Sequence, residues 1–387
     1  MRSIELFSGA GGLALGLEGA GFDTAALFER DADACATLRA NRPQWNVVKG
    51  DVQNVDFSAY GPVAFVAGGP PCQPFSMGGK ARGQQDHRDM FPEAVRAVRV
   101  LRPQAFMFEN VRGLLRPAFR GYVEYIRLQL MHPEFPVSCN VDWETNFRRL
   151  ERHHTQRERT GELTYRVTIN LANAADYGVP QQRHRVFFVG FRHDVDAGWS
   201  FPRRTHTRDD LLRAKHVTGS YWWEHGIQQP RQLSASKQAR KIQQLAEAEL
   251  FSLGDRWRTV RDALAGLIEP TVDNVDSNHR LQLGARPYPG HTGSPIDEPA
   301  KALKAGDHGV PGGENMLRYV DGACRYFSIR ESARLQTFPD DYRFFGSWTE
   351  AMRQLGNAVP VELARVVAAS IRAKLQAHVP RPLQSTG

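Results

Sequence analysis

Cys72 stands in Gly68-Gly69-Pro70-Pro71-Cys72-Gln73-Pro74-Phe75-Ser76, directly after the apolar run Val63-Ala64-Phe65-Val66-Ala67. A thiolate is a strong nucleophile, and the two prolines before it hold it on a stiff loop that can continue neither a helix nor a central strand. Cys35, Cys139 and Cys324 lack that setting and read as small buried hydrophobes. Glu109, in Glu109-Asn110-Val111, ends a second buried run, Ala105-Phe106-Met107-Phe108. In an open α/β sheet the carboxyl ends of the strands line one crevice, which would bring this carboxyl near the thiol. A nucleophile beside a group that can carry a proton is a usable catalytic pair. Arg183 and Arg185 alternate in Pro180-Gln181-Gln182-Arg183-His184-Arg185, so an extended segment turns both to one face. Forked donors there can hold a carboxylate or an anionic substrate.

These residues require elements to position them. Ser3–Phe7 reads as a strand and Ser8-Gly9-Ala10-Gly11-Gly12 as a turn opening a helix that runs to about Ala20. Glycines let a ligand approach the backbone, and the helix start offers unpaired N–H groups. A second strand, Ala25–Phe28, ends at Glu29, placed to accept hydrogen bonds from ribose hydroxyls; Asp51, after the strand Val47-Val48, is the second acidic edge of a nucleoside pocket. Helix capping is the competing reading for both carboxylates. Gly9-x-Gly11-x-x-Ala14 equally admits a nicotinamide dinucleotide. The polar stretch from Gly78 to Met90, with Lys80, Arg82, Asp86, His87 and Arg88, reads as a mobile lid. Pro92 starts a helix that Pro103 stops, a helix is expected from Arg112 to about Leu130, and Tyr165–Leu171 and Val186–Phe191 read as strands. The Arg- and His-rich segment 131–164 has no clear pattern and reads as a solvated face or a nucleic-acid contact.

The chain has 387 residues with 50 Lys and Arg against 42 Asp and Glu, a formal charge of +8. Its length suits two domains, and its positive excess a polyanionic partner. Four cysteines with no C-x-x-C pair and no zinc spacing suit a reducing compartment. The sequence shows no signal peptide and no apolar run of membrane-spanning length, so a cytoplasmic protein is expected, associated with the nucleoid through its partner.

Together these pieces resemble the DNA (cytosine-5) methyltransferase family. Phe7-x-Gly9-x-Gly11-Gly12 is similar to its first motif, Pro70-Pro71-Cys72-Gln73 to the nucleophile motif, Glu109-Asn110-Val111 to the acid motif and Gln181-x-Arg183-x-Arg185 to the eighth. Arg330-Glu331-Ser332-Ala333-Arg334-Leu335-Gln336-Thr337-Phe338-Pro339 resembles the ninth motif and Gly356-Asn357-Ala358-Val359-Pro360 the tenth. Six motifs in family order make the resemblance specific. It implies a Rossmann-like α/β S-adenosylmethionine-binding domain, residues 1–199 plus 350–387, and a smaller, irregular target-recognition domain, 200–349.

The resemblance implies site-specific methyl transfer from S-adenosylmethionine to C5 of cytosine in double-stranded DNA. Cys72 would add to C6 of a flipped-out base, Glu109 would bind the ring's N3 and amino edge, and Arg183 and Arg185 would help hold the base, its phosphate or Glu109. Phe7, Gly9, Gly11, Gly12, Glu29, Asp51, Pro70 and Asn357 would line the cofactor site. Ser76, Arg82, Arg88, Gln181, Lys301 and His308 would contact DNA. No metal is needed, a monomer is expected, and a restriction endonuclease cutting the same site is the implied counterpart. Two departures stand out: Glu5 where the family commonly has Asp, and Lys301-Ala302-Leu303 where it has Thr-Leu. A tRNA cytosine-5 methyltransferase would share the core, but the long stretch between the eighth and ninth motifs and the missing Cys-Phe-Thr signature speak against it.

Within the recognition region, Lys237–Leu253 is the one helix expected and Arg280–Leu317, dense in Gly, Pro and His, reads as a loop able to enter a groove. Tyr221-Trp222-Trp223 suits either core or a wedge between bases. Val361–Leu375 carries apolar residues at helical spacing and, by resemblance, returns to pack beside the first motif.

Overall fold

The computed structural model describes residues 1–71, 90–138, 140–156, 161–195, 198–230, 237–247, 254–305 and 313–378. Its centre is a seven-stranded sheet. The chain enters through β1 (Arg2–Leu6), α1 (Gly12–Gly19), β2 (Asp23–Glu29), α2 (Ala32–Asn41) and β3 (Val47–Lys49). It then crosses back through β4 (Phe65–Gly68), α3 (Phe91–Leu101) and β5 (Ala105–Val111), and continues through α4 (Arg120–Met131), α5 (Trp143–Thr155), β6 (Tyr165–Asn173), the two-residue β7 (Gln181–Gln182) and β8 (His184–Arg192). The sheet order is β3-β2-β1-β4-β5-β8-β6, with β8 antiparallel to both neighbours and the remaining pairs parallel.

Chain direction across the sheet reverses between β1 and β4, which opens a crevice beyond their carboxyl ends. Strand alternation sorts the buried side chains. Ile4, Leu6, Val66, Phe106 and Phe108 pack one face with α3 and α4, whereas Phe65, Ala67, Met107, Phe187 and Val189 pack the other with α1 and α12 (Val361–His378). Glu5, opposite Ala67, and Glu109, opposite Phe187, share the second face.

Local chemistry sets the helix limits. Asp31 caps α2 by accepting from the Ala34 N–H at 2.9 Å, and Pro92 lies in the first turn of α3. The helix expected from Arg112 starts only at Arg120, after two short 3₁₀ turns over Arg112–Leu115 and Pro117–Phe119, because Pro117 cannot donate to the ladder. The segment without a clear pattern contains α5, capped by Asp142 on the Thr145 N–H.

The region after residue 200 is more ordered than the composition suggests. β9 (His206–Thr207) and β10 (Asp255–Arg256) pair, with α6 (Arg208–His216), α7 (Ser220–Glu224) and α8 (Lys237–Glu247) between them and α9 (Val260–Leu264) after them. The expectation of one helix here is therefore corrected: Thr207 caps α6, and Thr259 with Asp262 forms a capping box on α9. Tyr221 and Trp222 are buried with Leu211 and Trp257, while Trp223 is 83% exposed. The triplet thus divides between core and surface. β11 (Ser294–Pro295), β13 (Met316–Arg318) and β14 (Cys324–Tyr326) form a small sheet, and β12 (Ala300–Lys301) pairs with β7. These short strands interrupt the loop expected over 280–317.

α10 (Ile329–Leu335), α11 (Trp348–Asn357) and the turn between them share a core with Ala10 and Leu15 of the first glycine turn and α1. The Tyr342 hydroxyl donates to the Ala10 carbonyl at 2.7 Å. Residues 329–344, expected in the smaller domain, thus pack directly on the motif that begins the chain. No helix of the described residues is long and apolar enough to cross a membrane.

Candidate active site

The glycine turn leaves β1 by a sharp bend, with Phe7 and Gly9 at positive φ of 57° and 52°. A Cβ on Gly9 would meet nothing within 4 Å, so this backbone faces open crevice; one on Gly12 would lie 2.3 Å from the Val359 carbonyl, so that backbone is pressed against the tenth motif. A side chain at Gly9 would strain the backbone, and one at Gly12 would clash. Glu29 accepts from the N–H groups of Gly9 at 2.7 Å, Arg30 at 2.8 Å and Asp31 at 2.7 Å, which ties the turn to the end of β2. Asp51 caps a 3₁₀ turn through the Gln53 N–H at 3.0 Å. Asn357 is exposed at the end of α11, and Pro70 is buried at the end of the β4 loop.

Beneath this turn lies Glu5, fully buried, with no hydrogen bond to either carboxyl oxygen among the described residues. Burial, reinforced by the charge of Glu29, holds its pKa well above the ordinary carboxylate value, and the Ser8 hydroxyl only partly offsets this. Burial thus favours the protonated form of Glu5, a feature that its place in a strand gave no reason to expect.

Glu109 is 6% exposed, at the carboxyl end of β5. It and Arg185 are diagonal neighbours on adjacent antiparallel strands, with Arg185 Nε 2.5 Å from Glu109 Oε1 but not aligned for a hydrogen bond. Burial raises the Glu109 pKa, with Arg185 and then Arg183 pulling it back in part. A Cβ on Gly69 would lie 3.3 Å from Glu109 Oε2, and the Asn110 side-chain amide donates to the Pro70 carbonyl at 3.0 Å. The acid thus abuts the base of the loop that carries Cys72. The Met90 N–H reaches the Pro71 carbonyl at 3.2 Å and draws the two ends of that loop together. Cys72, Ser76, Arg82, Arg88 and the lid expected over 78–90, apart from Met90, lie outside the described residues, as does His308.

The arginine pair divides. Arg183 is fully buried and donates to backbone carbonyls of Leu303 at 2.8 Å, Gly356 at 2.5 Å and Ala358 at 3.0 Å. Burial and the charge of Arg185 push its pKa well down, with Glu109 partly offsetting. It holds the turn on both sides of Asn357. Gln181, expected on DNA, is also fully buried: its side-chain oxygen accepts from the Leu303 N–H at 3.2 Å and its amide donates to the Leu335 carbonyl at 3.4 Å. It joins the eighth and ninth motifs away from any surface. Lys301 is partly exposed, its ammonium 3.2 Å from the Thr292 hydroxyl. Sequence reasoning missed the roles of Asn110 and Tyr342 in holding these turns. Asn110 adjoins Glu109 in the acid motif, whereas nothing local marked Tyr342.

The family model for C-5 cytosine-specific DNA methylases matches residues 1–141 and 122–373. The chain belongs to this family. It is 33% identical over 369 residues to the type II methyltransferase M.NgoMIV of Neisseria gonorrhoeae, covering 95% of this chain and 96% of that protein. It is also 33% identical to the type II methyltransferase M.PspPI of Psychrobacter, covering 97% of this chain and 79% of that one. The S. pombe Dnmt2 methyltransferase has the same fold, with a TM-score of 0.56 at 18% identity over 97% of this chain and 99% of that one. This DNA cytosine-5 methyltransferase is thus an enzyme of the restriction–modification type that acts on DNA, and its family implies S-adenosylmethionine as methyl donor. The open space at Gly9, beside the Glu29 carboxylate that accepts from its N–H, fits such a ligand.

Proposed function

We propose that this enzyme methylates C5 of one cytosine within a specific duplex sequence through a covalent bond to Cys72, after swinging the base out of the helix. The observation that carries this reading is the buried carboxyl of Glu109 set against the base of the Cys72 loop. C5 of cytosine is a poor nucleophile, and addition of the Cys72 thiolate at C6 makes the ring enamine-like. Glu109 holds the N3 and amino edge, and its raised pKa suits a group that shares a proton with N3. Arg185 keeps that carboxyl oriented, and Arg183 acts at one remove by fixing the turn that carries Asn357. Phe7, Gly9, Gly11, Gly12, Glu29, Asp51, Pro70 and Asn357 would hold S-adenosylmethionine, which supplies the methyl group when bound. Release of the C5 proton then expels the Cys72 thiolate. A stacked base is out of reach of such a site, so extrusion is required, with its cost in lost stacking.

The region 200–349 reads the target, with Lys301 and the loop containing His308 toward DNA. The enzyme works as a cytoplasmic monomer, and its product shields host DNA from a nuclease cutting the same site. Incubation with duplex DNA and labelled donor tests the chemistry: 5-methylcytosine is expected in DNA, little label in tRNA, and none with Cys72→Ala. Methylation by the Cys72→Ala protein would refute the covalent route, and bisulfite sequencing of DNA from expressing cells would show whether one sequence is modified.

A further inference from the structure

At the end of the sheet opposite Glu109, three side chains from separate elements converge. His132 follows the last residue of α4, His153 lies in the last turn of α5, and Glu162 precedes β6. β6 runs parallel to β5, because both are antiparallel to β8, so its start lies at the edge away from the catalytic crevice. One imidazole nitrogen from each histidine and one carboxylate oxygen lie within 4.8 Å of one another. They line a cavity of about 200 Å³, shared with Glu134, Phe135, Pro136 and Leu163.

We propose that this cluster binds a zinc-like divalent cation, a structural clip unconnected with the methylation chemistry. Two imidazoles and one carboxylate suit a borderline-soft ion, whereas magnesium and calcium prefer all-oxygen shells. A tetrahedral zinc site with bonds of about 2.0–2.1 Å sets its donors roughly 3.3 Å apart. His153 Nε2 and Glu162 Oε2 already stand 3.5 Å apart, and no two of the three donors are more than 4.8 Å apart. The imidazoles are held in place: the His132 and His153 rings meet edge to face at 5.2 Å, Phe135 packs on His153 at 4.7 Å, and His154 Nδ1 lies 3.0 Å from His132 Nε2. Outer contacts of that kind are what fix ligating imidazoles. Glu134 is engaged elsewhere, with Arg102 at 2.6 Å and the Leu163 N–H at 3.1 Å, so it braces the wall and leaves the fourth position to water. A cation here would join the ends of α4 and α5 to the segment that leads into the outermost strand of the sheet.

The test uses the full-length chain, treated with chelator and then titrated with cobalt(II) chloride, followed by zinc chloride. A single equivalent of cobalt with the visible absorption of four-coordination, displaced by zinc, is expected, together with a rise in melting temperature. Glu162→Gln and His153→Ala, at partly exposed positions, should each weaken binding by about tenfold or more and remove the thermal shift. Wild-type protein that binds no cobalt, or both variants binding it as tightly as wild type, would overturn the assignment. A six-coordinate cobalt spectrum would overturn it as well.

Discussion

Replacing Glu5 by Gln should make the protein more stable, and by an amount that grows with pH. The Ser8 hydroxyl donates to the backbone carbonyl of Glu5 at 3.4 Å and makes no well-formed hydrogen bond to its carboxyl, and the side chain is wholly buried on β1. Gln matches the neutral acid in shape, so the two proteins differ mainly in a proton. With its folded pKa raised above 4.5, Glu5 contributes its full stability below that value and loses it as pH rises, because the native state retains a proton that the unfolded chain releases. The slope is about 1.4 kcal/mol per pH unit from 4.5 up to the folded pKa, and the variant lacks it. Glu109 has a raised pKa too, but it is present in both proteins and cancels in the difference. Urea denaturation of both proteins at rising pH above about 5 should show the variant gaining about 1.4 kcal/mol relative to wild type per pH unit until the folded pKa of Glu5 is reached. A difference independent of pH, or a variant that falls behind as pH rises, would refute a neutral buried acid at position 5.

Arg183→Ala strands three buried carbonyls, each worth about 1–3 kcal/mol when left unpaired, so a loss of at least about 3 kcal/mol is expected in the same denaturation assay. Arg183→Lys, which satisfies fewer of them, should remain folded and raise KM for the methyl donor more than it lowers kcat, because the damage lies at the turn bearing Asn357. Glu109→Gln should bind duplex DNA while its methylation rate falls about 100- to 10,000-fold, and retention of rate in a steady-state assay would remove the carboxyl from the chemistry. Gly12→Ala should cost about 1–3 kcal/mol of stability through its clash with the Val359 carbonyl. Gly9→Ala, with open space before it and a smaller strain of about 1 kcal/mol, should chiefly weaken binding of the methyl donor in a calorimetric titration.

The strands of the central sheet were legible as apolar runs, several closed by Gly or Pro, and the last helix because Ala364, Ala368, Ile371 and Leu375 recur at helical spacing. Length alone was misjudged before Arg120, where a proline hides among good helix formers. After residue 200 the helix expected from Lys237 is present as α8, but α7 and α9 were missed because they are five residues long and are defined by caps and by packing around Tyr221 and Trp257, which no short-range period displays. At the site, Glu109 was legible as a carboxylate at a strand's end, whereas Cys72, expected in the same setting, lies outside the described residues. The fate of Gln181 and Arg183 was not, since their partners at Leu303, Leu335, Gly356 and Ala358 lie more than 100 residues away. Burial, too, is invisible in the letters: Glu5 in a strand reads like any half-exposed carboxylate until Ala67 and α1 close over it.

Two arginines two residues apart perform different tasks because β8 runs backwards. A parallel strand beside β5 would bring its last residue to the crevice; the antiparallel one brings its first, and with it the turn that precedes it. Val111 at the end of β5 therefore stands opposite Arg185, and Glu109 is one diagonal away. Arg183, a step beyond the strand, overshoots the sheet and finds the carbonyls of the segments that return from the smaller region and from the chain's end. One reversal of direction thus serves both needs: it supplies a cation to a buried acid, and it anchors the turn of the tenth motif against the glycines of the first. The same alternation on a parallel strand could meet only one of them.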